Sequence, residues 1–152
     1  MRHFFYFLTL FLGVNSWAQF SSISSQYCIG STSTDIPVKE ALLDNGNRIV
    51  LFISNSPAAG VKTENCRGDY DFWVLCLDPN NQIVWQKTIG GGMPVFFGDL
   101  EAEVLREIRQ SSDGGFFLGG NSDSPVFGSK TEPNYGMQDY WIVKINNVGD
   151  IV

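Results

Sequence analysis

Apolar positions along this chain fall into short runs of five to seven residues, and turn residues separate them. Val38–Leu43, Arg48–Ser54, Phe72–Leu77 and Ile83–Thr88 form one set, and Val104–Gln110, Phe116–Gly120 and Tyr140–Ile145 form a second. Enrichment in Val, Ile, Phe, Tyr and Trp predicts strands. Asp44-Asn45-Gly46 and Ser112-Asp113-Gly114-Gly115 supply residues that tolerate positive φ, so each is expected to close a hairpin, with Gly46 and Gly114 as its structural glycines. Pro79-Asn80-Asn81 and Asn147-Val148-Gly149 do the same for a second hairpin in each set. Glu101 to Gln110 contains good helix formers, but its counterpart in the first set carries Pro37 opposite Leu105. Proline suits a helix interior badly, so a strand is expected there too.

The two sets are copies. A shift of 68 residues places Ser54-Asn55-Ser56-Pro57 on Ser122-Asp123-Ser124-Pro125, Lys62-Thr63-Glu64 on Lys130-Thr131-Glu132, and Asp71 and Trp73 on Asp139 and Trp141, without a gap. Self-similarity at a fixed period marks a unit that stacks on copies of itself. The third strand carries Trp73, Leu75 and Leu77 on one face and Phe72, Val74 and Cys76 on the other. The second copy matches these with Trp141, Val143 and Ile145 on one face and Tyr140, Ile142 and Lys144 on the other, so both faces are largely apolar, as expected of a sheet covered on both sides. The fold class that follows is all-β: tandem four-stranded antiparallel units forming part of a β-propeller. Trp73 and Trp141 are its expected structural anchors. The expected organisation is a first repeat over 35–92 and a second over 93–152, joined by Gly90-Gly91-Gly92. The second repeat reads as truncated in its fourth strand.

The N-terminal residues follow a different pattern. Arg2 and His3 precede an eleven-residue apolar run, Phe4 to Val14, and Ala18 ends a small-residue site. That order is expected of a signal peptide over 1–18, followed by a lead-in segment over 19–34. Eleven residues fall short of the roughly 20 of a membrane-spanning helix. No transmembrane segment is expected after cleavage, and the chain is expected to be secreted, extracellular or on the outer cell surface.

Charge and chemistry narrow the function classes. From Gln19 onward nine basic residues face sixteen acidic ones, a net charge of −7, so nucleic acid is not an expected partner. His3 is the single histidine, which removes Ser-His-Asp and Cys-His catalysis from the mature chain. Cys28, Cys66 and Cys76 allow one internal bridge at most; Cys76 reads as a core residue, with a Cys66–Cys76 bridge as the alternative. Asp69, Asp71 and Asp139 are candidate oxygen ligands for calcium. The competing reading is that these carboxylates accept backbone N–H groups at loop–strand junctions. The repeated Lys-Thr-Glu is either a displayed ligand surface or a loop held by its own hydrogen bonds. Asp99, Glu101, Glu103 and Glu107 supply carboxylates, but none is marked as a glycosidase acid. No catalytic residue and no cofactor is expected.

The strings GDYDFWVLCLDPNNQIVWQKTIGG (68–91), SSDGGFFLGGNSDSP (111–125) and GSKTEPNYGMQDYWIVKINNVGDIV (128–152) resemble a tandem repeat of secreted Bacteroidetes proteins, many of them exported by type IX secretion. The resemblance covers about residues 35 to 152. It implies a β-propeller at the cell surface and no particular reaction. The function expected is a non-catalytic binding or scaffold module, with an extracellular glycan or protein as its ligand. The alternative is the propeller part of a larger secreted glycan-processing enzyme whose active site lies outside these residues.

Overall fold

The computed structural model of the chain describes residues 26–92 and 104–152. The expected signal peptide, and Asp99, Glu101 and Glu103, lie outside the described residues. Seven strands are present among the described residues: β1 (Asp35–Leu42), β2 (Arg48–Ser54), β3 (Asp71–Leu77), β4 (Ile83–Ile89), β5 (Val104–Gln110), β6 (Phe116–Ser122) and β7 (Asp139–Ile145). β1 to β4 form one antiparallel sheet in sequence order, and β5 to β7 form a second. An isolated bridge from Ile145 to Ile151 begins a fourth position beside β7. There is no helix among the described residues, and Val104–Gln110 is a strand.

Several backbone features recur at a shift of 68 residues. β2 and β6, and β3 and β7, have identical bounds after the 68-residue shift. The register slips after Pro37 in β1 and after Leu105 in β5, which are equivalent positions. Positive φ occurs at Gly46 (83°) and Gly114 (81°), and at Asn81 (63°) and Gly149 (88°). Gly46 N–H donates to Leu43 O at 2.9 Å, and Gly114 N–H to Ser111 O at 3.0 Å, so each hairpin turns on the glycine that its sequence supplied.

The two sheets pack face to face. From the first come Ile49, Leu51, Phe72, Val74, Cys76 and Ile89; from the second come Ile108, Phe116, Leu118, Val143 and Ile145. Trp141 lies at the edge of this core, with its ring centroid 5.5 Å from that of Phe72. The opposite face of the first sheet buries Phe52, Trp73, Leu75 and Leu77, with Ile29 of the lead-in segment packed against them. Every residue of β3 is therefore buried, as expected of a strand covered on both sides.

β7 departs from that expectation. It presents Val143 and Ile145 to the core, but Tyr140 (61% exposed) and Ile142 (60%) to solvent. The cause is position. The face of the second sheet that corresponds to Trp73, Leu75 and Leu77 already lies on the first sheet, and no described element covers the other. Trp73 and Trp141 consequently differ, the former fully buried and the latter partly so.

Candidate functional site

Three features carry the polar chemistry: the long loops between the second and third strands of each sheet, the strand-start aspartates, and a cleft between the sheets.

Each long loop is built around a buried lysine. Lys62 Nζ donates to Ser56 O at 2.8 Å and lies 3.0 Å from Cys66 Sγ. Lys130 Nζ donates to Ser124 O at 2.9 Å, to Ser122 Oγ at 3.1 Å and to Asn134 Oδ1. Residues 56 and 124, and 66 and 134, are equivalent, so one design is used twice. Both lysines are nearly inaccessible, at 3% and 4%. A buried ammonium needs several acceptors, and the loop carbonyls provide them. This corrects the display reading of Lys-Thr-Glu: the lysines hold the loop from inside. Glu64 is also structural, as its carboxylate accepts the Thr88 N–H at 2.6 Å.

The aspartates repeat a second device. Asp35, Asp71 and Asp139 each open a strand, and each carboxylate accepts the backbone N–H four residues earlier: Ser31 and Arg67, both at 2.6 Å, and Tyr135. Burial raises the Asp35 pKa, but hydrogen bonds from Ser31 and Ser54 and the Lys62 charge outweigh it and hold the carboxyl below the usual range. Asp71 is fully buried and packed against the Gly90 backbone, where an added Cβ would meet its Oδ1 at 1.8 Å. Asp69 is exposed. The calcium candidates Asp69, Asp71 and Asp139 are not brought together: Asp71 and Asp139 sit in different sheets, each bound to its own loop. Among the described residues no three His, Cys, Asp or Glu side chains are placed to share a metal ion.

Glu107 is held by ion pairs. Lys39 Nζ contacts its Oε1, and Arg109 Nε lies 3.5 Å from the same atom. The Lys39 hydrogen bond pulls the Glu107 carboxyl below its ordinary value, the opposite of what a general acid requires.

The cysteines are free. Cys76 is a core residue, 3% exposed, beside Ile49. Cys66 Sγ donates to Ser54 O at 2.9 Å, at the other end of β2. Five residues of strand separate these ends, about 17 Å at ~3.3 Å per residue. A disulfide needs Cα atoms within about 7 Å, so the alternative Cys66–Cys76 bridge is excluded.

A cleft of about 360 Å³ opens between the sheets at the hairpin end, lined by Asn45, Asn47, Trp85, Gln110, Phe116 and Asn147 among others. Trp85 Nε1 donates across it to Asn147 O at 3.1 Å. Amides and the Asp44 carboxylate beside aromatic rings suit a ligand with hydrogen-bond donors and an apolar face. Sequence reasoning missed this site, because its walls come from separate turns and strands of both sheets. Trp85 was a visible signal, as a lone tryptophan in an otherwise ordinary strand. At the opposite end, Arg67, Gly92, Pro125, Val126 and Phe127 line a more open hollow of about 330 Å³.

No helix among the described residues is long and apolar enough to cross a membrane. No family model, curated protein or solved structure matches this chain. The class established is an all-β protein of two antiparallel sheets.

Proposed function

We propose that this chain is a secreted or cell-surface β-propeller module of the repeat type it resembles, non-catalytic, acting as a scaffold that displays a binding cleft. One observation carries the reading. The face of the first sheet covered by the second consists of Ile49, Leu51, Phe72, Val74 and Cys76. The same face of the second sheet, one repeat later, consists of Phe117, Gly119, Tyr140, Ile142 and Lys144, of which Phe117, Tyr140 and Ile142 are 45–61% exposed. A head-to-tail contact that joins unlike faces leaves its second face open for another unit of the same kind. Between-sheet clefts such as the one at Trp85 then recur once per junction, and ligands are met by the turns at that end.

The test is self-association. Sedimentation velocity of the chain across a concentration series is expected to show association through the open face. Phe117→Asp combined with Ile142→Asp is expected to leave a monomer with an unchanged β-sheet circular dichroism spectrum. A wild-type chain that stays monomeric throughout, with a single cooperative melt, would overturn the stacking scaffold.

A further inference from the structure

The two long loops differ at one chemically consequential position. Where the second loop offers the Asn134 amide to its buried lysine, the first offers the Cys66 thiol. An amide is inert to oxidants, whereas a thiol is not. The amine and the sulfur are already in contact: Lys62 Nζ stands 3.0 Å from Cys66 Sγ, anchored by Ser56 O on its other side. That separation lies within the roughly 3–3.5 Å window in which bound partners react as one molecule. The lysine is almost fully buried, while Cys66 is half-buried, with burial pushing its thiol above the ordinary value, so a small oxidant acts on it slowly.

We infer that Lys62 and Cys66 form an oxidative modification site, at which a peroxide joins the two side chains through a sulfur–nitrogen bond. Hydrogen peroxide first converts the Cys66 S–H to S–OH, releasing one water. Lys62 gives up its ammonium proton to solvent, and its free electron pair attacks Sγ. The S–O bond breaks, the hydroxyl leaves with a proton from the nitrogen as a second water, and a sulfenamide remains. The sulfur is oxidised by two electrons and the peroxide reduced by two. Sulfenic acids condense with nitrogen in this way where an N–H group is held against them. The product ties residues 62 and 66 into a closed ring that locks the first loop, a lock that Lys130 and Asn134 cannot form. Cys76 Sγ instead accepts from the Asn47 amide, at 3.7 Å.

The whole chain is treated with hydrogen peroxide, digested with trypsin and mapped by mass spectrometry. The expected product is a peptide uncut at Lys62, lighter by two hydrogens and restored by dithiothreitol. Cys28→Ser retains it. Cys66→Asn, which copies the second loop, loses it while keeping the wild-type circular dichroism spectrum. Lys62→Arg accumulates a dimedone-reactive sulfenic acid at Cys66. The inference is overturned if wild-type Cys66 accumulates that acid as fully as Lys62→Arg does. It is equally overturned if the lost hydrogens map to a Cys28–Cys66 disulfide. Should Lys62→Arg fail to fold, the wild-type and Cys66→Asn maps decide alone.

Discussion

The Lys39 ammonium meets the Glu107 carboxylate across the boundary between the sheets, and Glu107 is the residue that occupies Lys39's own place one repeat later. The same position thus carries opposite charges in adjacent units. Identical residues there would repel, so the alternation favours this pairing of unlike faces. The other end of the interface has its own tie, from Lys87 Nζ to Asp150 Oδ1 at 2.8 Å.

A charge swap tests that relationship. Lys39→Glu and Glu107→Lys should each lower the melting temperature, and the double swap should recover most of the loss. Both side chains are partly exposed, so the effect should be modest and should shrink in high salt. Additive losses in the double variant would show that the pair is not coupled.

Trp73→Ala should cost about 3–5 kcal/mol, because the ring is fully buried against Phe52 and donates its N–H to Gln86 Oε1 at 3.0 Å. Trp141→Ala should fall below that range, since its ring lies at the edge of the interface. Urea unfolding of the two variants checks the order, and equal losses would contradict the asymmetric stacking.

Lys62→Met and Lys130→Met keep the side-chain bulk but strand the carbonyls of Ser56 and Ser124. Each should cost about 1–3 kcal/mol, the penalty of a buried acceptor left unpaired. Measured stabilities within error of wild type would mean that the loops do not depend on their lysines.

Stability should fall in acid. The carboxyls of Asp35, Glu107, Asp113 and Asp150 all sit below their ordinary values in the folded chain, for Asp113 chiefly because Lys144 and Ser111 hydrogen-bond to it. Depressed folded values mean that the unfolded chain binds more protons in acid. The stabilisation is therefore complete above the unfolded values, 3.8 for Asp and 4.5 for Glu, and is lost as pH falls through the lower folded ones. Denaturant midpoints should be flat near neutrality and drop below about pH 4. Asp35→Asn should flatten part of that drop.

Strand positions and hairpin glycines were legible in the residues, because each is set locally. Alternation, β-branched composition and the demand for positive φ act within a few positions, and β2 and β3 have the same bounds as β6 and β7 at a shift of 68 residues. The strand-start aspartates were legible as a pair of competing readings, and the loop geometry chose the hydrogen-bonding one.

Only the tertiary structure decided which face of each sheet is covered. Phe72 and Tyr140 are equivalent and alike in pattern, yet one is buried and the other exposed, because burial depends on what stands beside the sheet. The same holds for Lys62 and Lys130, whose exposed appearance in sequence gave way to burial under their own loops. The cleft at Trp85 and the contact of Lys62 with Cys66 arise where chain folds against distant or looped-back chain. Periodicity along a sequence reports the faces of an element, whereas partners across space are set by how those faces pack.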